Sequence, residues 1–294
     1  MKQRLITAAL ILGATIPLVL LSQYITYPIA LSILAFIAVH EILRTLSLQK
    51  KYSLAIPAYM LALAMPFSAY FAVENGMVYL LSLSALVFAF LMYTMAVGVF
   101  SKGRLGFSVI SELFVMVAYV VISFSSMALI RYVNMDVGLY VLILVLVVSW
   151  VTDSCAYIVG SLFGKHKLIP EVSPKKTVEG AIGGVVFAAL FCLIYGFLVD
   201  IIFCGMTLNV FGTDIVFANI NVNYIALALM GIILPVVSQL GDLTASLIKR
   251  EYGVKDYGKI FPGHGGIMDR FDSVIAVSTI LLIICVAFPP FVLI

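Results

Sequence analysis

The sequence is short of charge. Only 11% of its 294 residues are Asp, Glu, Lys or Arg, against about 25% in a soluble domain. Hydrophobic residues make up 64% and mean hydropathy is +1.20, which puts the chain in the membrane class. A net charge of +3, with the basic residues set between hydrophobic runs, argues against a nucleic-acid-binding surface. Cysteine is scarce and scattered. Cys155, Cys192, Cys204 and Cys285 show no C-x-x-C or ligand spacing and sit in apolar segments, so they read as small buried hydrophobes. No Walker A, G-x-S-x-G or H-E-x-x-H pattern is present, and covalent nucleophilic catalysis has no candidate.

What the chain does have is long apolar runs. A membrane helix needs about 20 apolar residues, and nine segments qualify: 5–22, 28–46, 53–73, 77–100, 107–130, 137–163, 179–203, 223–248 and 267–292. They predict an all-α, polytopic integral membrane protein. The run MKQRLITAALILGATIPLVLL lacks an A-x-A-like cleavage site and meets another apolar run at once, so it reads as a first membrane helix and not a signal peptide. Only the uncharged break 23–27 separates the first two segments, and a re-entrant hairpin is the alternative there. Orientation follows from Lys and Arg placement. With the N-terminus in the cytoplasm and nine crossings, 16 of the 17 basic residues fall on the cytoplasmic side and only Arg131 falls outside. The default location is a bacterial inner membrane.

The loops differ in character. Residues 204–222 are rich in Asn and Gly and hold no basic residue, so no chemistry is expected there. Two cytoplasmic loops, 164–178 and 250–266, are long, basic and punctuated by Gly and Pro. The chain thus divides into a scaffold region, 1–130, and a chemical region, 131–294. No internal repeat is visible.

Charge is densest in 248–273, IKREYGVKDYGKIFPGHGGIMDRFDS, between two apolar segments. Charge held so close to lipid is costly and marks function. Just upstream, Asp242, Ser246 and Lys249 stand at i, i+4 and i+7, on one helix face. A polar stripe at membrane depth turns toward a protein cavity, although Asp242 and Lys249 pairing only to hold helices together is the alternative. Pro262, Gly263, Gly265 and Gly266 favour an irregular backbone whose N–H groups can approach a ligand, ahead of a helix N-terminus that favours phosphate. Asp269 and Asp272 follow at i and i+3, and two carboxylates facing Asp242 suit Mg²⁺; helix capping is the simpler alternative. Ser173, Lys175, Lys176 and Thr177 form a candidate polyphosphate cradle, or else a basic anchor at the membrane edge. Asp153 lies within the sixth span and needs a partner, structural or functional. Gly180 and Gly184 form a G-x-x-x-G that points to close helix packing. Glu112 reads as a structural hydrogen-bond partner, His40 and Glu41 as interface residues, and His166 as solvated. Carboxylates for a divalent cation beside cations for phosphate fit phosphoryl or nucleotidyl transfer onto a lipid.

SLIKR at 246–250 and KDYGKIFPGHGGIMDRFD at 255–272 resemble the signature of the phosphatidate cytidylyltransferases, also called CDP-diacylglycerol synthases. SPKKTVEG at 173–180 and DSCAYIVGSLFGKHKL at 153–168 are similar to the family's upstream segments, with Val178 standing where the resemblance leads one to expect Trp. The likeness covers 150–273, and the N-terminal half is similar only as a hydrophobic multi-span region. The resemblance implies conversion of CTP and phosphatidate to CDP-diacylglycerol and pyrophosphate. It also implies Mg²⁺ dependence, room for a second cation such as K⁺, and a membrane-embedded homodimer. On that reading Asp242 and Asp269 hold the metal, with Asp272 or Asp153 assisting, while Ser246 and Lys249 orient a phosphate. Lys175, Lys176, Arg250, Lys255 and Arg270 offset charge on the triphosphate, with Ser173, Thr177, Gly265 and Gly266 beside them, and His264 shapes the loop or binds phosphate. Three rivals stand: a cytidylyltransferase for another lipid phosphate, a CTP-using lipid kinase, and a transporter with an intramembrane Asp relay. The transporter is disfavoured by the lack of repeats.

Overall fold

A computed structural model describes residues 13–73, 76–102, 104–210, 212–261, 263 and 265–294. Eight helices among them are long and apolar enough to cross a membrane. In chain order they are α1 (Thr26–Thr45), α2 (Tyr52–Ser68, continued as a 3₁₀ turn Ala69–Val73), α3 (Gly76–Phe100), α4 (Phe107–Tyr132), α5 (Met135–Phe163), α6 (Val178–Leu198, continued as a π turn Val199–Phe203), α7 (Tyr224–Glu251) and α8 (Met268–Ala287). The ninth expected span, 5–22, lies largely outside the described residues; of its described part, 13–22, residues 13–20 are helical and 21–22 form a turn.

The helices form because uninterrupted apolar runs must satisfy their backbone internally in lipid. Their starts are locally encoded. Asn134 accepts from Asp136 and Val137 N–H ahead of α5, Thr177 from Gly180 N–H ahead of α6, and Asn223 from Ala226 N–H ahead of α7. These are side-chain N-caps that use otherwise orphaned donors. Pro57 and Pro66 in α2 and Pro235 in α7 are accommodated within helices, as membrane bundles allow.

α4 is the axis of the bundle. It packs against α1, α2 and α3 on one side and α5 and α8 on the other, while α5, α6, α7 and α8 pack successively. Val117, Val121, Phe124, Leu142, Leu144, Leu234 and Ile275 are fully buried where these groups meet. The G-x-x-x-G expectation holds: a Cβ on Gly180 would lie 2.6 Å from the Ala156 carbonyl oxygen of α5. Arg131, the exception to the charge separation, is buried in the bundle. Its Nε donates to Ser22 Oγ at 2.8 Å and its Nη1 to the Met135 carbonyl at 2.6 Å.

Three expectations need correction. The last helix does not run to 292. It ends at Ala287, because Pro289 and Pro290 cannot continue it, and β6 (Phe291–Leu293) instead pairs antiparallel with β5 (Ile220–Val222). The loop 164–178 contains an antiparallel hairpin, β1 (Lys167–Ile169) with β2 (Ser173–Thr177). The segment 204–222 likewise holds the hairpin β3 (Thr207–Val210) with β4 (Thr213–Val216).

Candidate active site

β2, α5, α7 and the start of α8 converge on a cavity of about 400 Å³. Each element brings its polar residues for a local reason. The i, i+4, i+7 stripe of α7 sets Asp242 and Lys249 on the cavity wall, with Ser246 Oγ donating to Asp242 Oδ1 at 3.4 Å. Strand β2 feeds Lys175, Lys176 and Thr177 into the same space immediately before α6 begins. Asp269, Arg270 and Asp272 enter from the first turns of α8, and Asp153 from α5.

Cations and carboxylates pair across the cavity. Lys176 Nζ lies 2.7 Å from Asp242 Oδ2. The two charges thus neutralise each other across the cavity wall. Lys249 Nζ donates to Asp269 Oδ1 at 2.8 Å and stands 5.6 Å from the centre of the Tyr257 ring. Asp272 Oδ1 accepts from Ser273 N–H at 2.8 Å, and Ser273 Oγ donates to Asp153 Oδ2 at 3.0 Å. Ser273 therefore bridges two of the carboxylates. No group of three His, Cys, Asp or Glu side chains among the described residues converges as a ready metal cluster.

Asp269 is held from behind. Its Oδ2 accepts from Tyr257 N–H at 2.8 Å and Gly266 N–H at 2.9 Å. Gly265 adopts φ +84°, and a Cβ there would lie 2.6 Å from Asp269 Oδ2, so a residue without a side chain is needed. The Tyr257 hydroxyl donates to the Ala245 carbonyl at 3.0 Å. Burial, reinforced by nearby Asp269 and Asp272, raises that phenol above its ordinary value and keeps it a neutral donor.

One expectation changes here. The N–H groups that open α8 were expected to face an anionic ligand, but the structure commits them to the protein's own carboxylates. Gly266 N–H serves Asp269, and those of Ile267 and Met268 serve Glu41. Other expected residues stand off the cavity. Arg250 Nε donates to the Val172 carbonyl at 3.3 Å and ties α7 to the β1–β2 turn. Ser173, Ser246 and Lys255 do not line the cavity, Ser246 reaching it only through Asp242, while Gly265 and Gly266 shape the backbone behind Asp269. His264 and Pro262 lie outside the described residues. His166 is engaged with Glu179, whose carboxylate also accepts from the Lys165 and His166 N–H groups. Gln239 was not anticipated: it lines the cavity and donates to the Ala181 carbonyl at 3.2 Å. Its position three residues before Asp242, on the same helix face, was the available signal.

The model of the cytidylyltransferase family matches residues 2–288. The chain belongs to the cytidylyltransferase family. Among curated relatives it is 37% identical over 291 residues to a phosphatidate cytidylyltransferase of Staphylococcus haemolyticus, covering 97% of this chain and 99% of that protein. The proteins of the same name from Staphylococcus saprophyticus and Staphylococcus aureus are each 36% identical, with the same coverage of both chains. This cytidylyltransferase likeness spans the N-terminal helices as well as the signature segment.

Proposed function

We propose that this membrane protein transfers a CMP group from CTP to phosphatidate, giving CDP-diacylglycerol and pyrophosphate. The observation that carries the reading is the single cavity in which Lys176, Lys249 and Arg270 meet Asp153, Asp242, Asp269 and Asp272. It is built from the segments that resemble the family signature, in a chain whose relatives bear the phosphatidate cytidylyltransferase name.

In the reaction a phosphate oxygen of the lipid attacks the α-phosphorus of CTP. An O–P bond forms as the bond to pyrophosphate breaks, and no proton need move because the nucleophile is already an anion. Catalysis then rests on positioning and charge neutralisation. Lys176, on the cavity wall and paired with Asp242 at 2.7 Å, takes a phosphate oxygen. Lys249 and Arg270 offset charge on the triphosphate and the leaving pyrophosphate, with Lys175 at the rim. Ser246 orients Asp242 from the same helix face.

The carboxylates fit Mg²⁺. Mg²⁺ is commonly bound through one or two carboxylates, completed by substrate phosphates and water; the cavity is lined by Asp153, Asp242, Asp269 and Asp272, with no three of them converging among the described residues. Asp242 and Asp269 would hold it, with Asp272 or Asp153 assisting and room for a second cation such as K⁺. When bound, the ion neutralises developing charge on the phosphoryl oxygens. The distribution of basic residues supports a cytoplasm-facing cavity, in a bacterial inner membrane, with acyl chains left in the bilayer; the working unit is a homodimer.

The test uses purified protein in detergent with CTP labelled at the α-phosphorus. Label should enter a chloroform-soluble product only when phosphatidate and Mg²⁺ are both supplied. Equal or faster labelling of another lipid phosphate would reassign the substrate, and no lipid-soluble label from folded protein would overturn the reading.

A further inference from the structure

We propose that Glu41, on α1, is a positioning residue for Asp269. Glu41 sits in a helix with almost no other charge and is only 3% exposed. A buried carboxylate is costly unless hydrogen bonds surround it. Its Oε1 accepts from Ile267 N–H at 3.1 Å and its Oε2 from Met268 N–H at 2.9 Å. These are orphan donors at the start of α8, where the helix dipole also favours an anion.

Asp269 takes the neighbouring donor, Gly266 N–H, and reaches back to Tyr257 N–H. Two carboxylates from opposite ends of the sequence thus divide one run of backbone between them. The fit around Glu41 is tight: a Cβ on Gly258 or Gly266 would overlap its carboxylate. Three residues along α1, Arg44 Nη2 donates to the Tyr257 carbonyl at 2.6 Å. The end of α1 therefore grips both sides of the turn, at Tyr257 through Arg44 and at Ile267 and Met268 through Glu41.

Glu41 does not line the cavity. Its effect passes through the backbone that aims Asp269 at Lys249. The inference deepens the reading of Asp269 as a metal-holding carboxylate and rests on it. Glu41→Gln keeps the shape and one acceptor but turns an NH₂ donor toward a backbone N–H, which loosens the turn without emptying the site.

The experiment measures Mn²⁺ binding by electron paramagnetic resonance on the full-length protein without substrates. The melting temperature, kcat, and KM for phosphatidate and CTP are measured alongside. Glu41→Gln should weaken Mn²⁺ binding and lower kcat by about 10- to 100-fold each, the usual range for a residue supporting a metal ligand, while KM for phosphatidate stays fixed. A purely structural role would lower the melting temperature and leave both values unchanged per folded molecule. Arg44→Met should act in the same direction more weakly, and it decides the matter if Glu41→Gln does not fold. Wild-type Mn²⁺ affinity and kcat in both variants, while Asp269→Asn loses both, would overturn the inference. If Asp269→Asn itself binds Mn²⁺ normally, the metal reading fails. Glu41 is then judged on kcat alone: a loss at constant KM for phosphatidate supports positioning, and an unchanged kcat overturns it.

Discussion

The two segments that flank α7 solve the same backbone problem differently. Residues 204–222, before α7, pair strand with strand: β3 runs against β4 and β5 against the terminal β6. That segment carries no Lys or Arg. Residues 252–267, after α7, form only the isolated Phe261–Gly265 bridge among the described residues. Their N–H groups at Tyr257, Gly266 and Ile267, with that of Met268, go to the carboxylates of Asp269 and Glu41. A strand ladder satisfies backbone without asking for particular side chains. A carboxylate-held turn asks for two, and in return it fixes where they point. Around α7, the irregular backbone is the segment that positions Asp269 on the cavity wall, and the strand-paired segment contributes no residue to that wall.

The strongest way to break this contrast is Asp269→Asn. Turnover should fall by at least about 100-fold, the scale for a group that stabilises charge at the reacting centre, while the protein still purifies folded. Retained activity would remove Asp269 from the site. A sharper comparison uses two glycines with nearly the same φ, Gly265 at +84° and Gly212 at +79°. Alanine at either position costs about 1–2 kcal/mol in the left-handed region. Gly265→Ala should also push on Asp269 and lower kcat about 10-fold, in the range for supporting residues. Third, Lys176→Met should raise KM for CTP about 10-fold, or ~1.4 kcal/mol, with KM for phosphatidate less affected. An unchanged KM for CTP would mean that Lys176 serves only Asp242. The smallest effect belongs to Gly212→Ala: a slightly lower melting temperature with kcat unchanged, because beyond its chain neighbours no described residue lies within 4 Å of the added methyl. A loss of turnover there would show that the hairpin segment shares in the chemistry after all.

The spans from 28 to 287 were legible in sequence to within a few residues at most ends, because lipid demands long apolar runs and polar caps mark where they start. The α7 stripe was legible for the converse reason: Asp242 and Lys249 are conspicuous in apolar surroundings and share a face by helical spacing alone. Glu41 was read as an interface residue because its partners are backbone groups 226 residues away or more, and backbone donors leave no mark in a sequence. The same blindness led the glycine-rich turn to be read as open to phosphate. The β1–β2 hairpin was hidden because its strands are short and charged, without the alternation that betrays a half-buried strand. The end of α8 was legible in Pro289 and Pro290, which the apolar count alone passed over.

The most direct measurement supplies CTP labelled at either the α- or the γ-phosphorus, with phosphatidate and Mg²⁺, to the wild-type protein and to Asp242→Asn and Asp269→Asn. The account predicts chloroform-soluble label from the α position only, and only with both carboxylates intact. Lipid-soluble label from the γ position would make the protein a CTP-using lipid kinase. Undiminished α-label transfer by both variants would contradict the assignment of the reaction to this cavity.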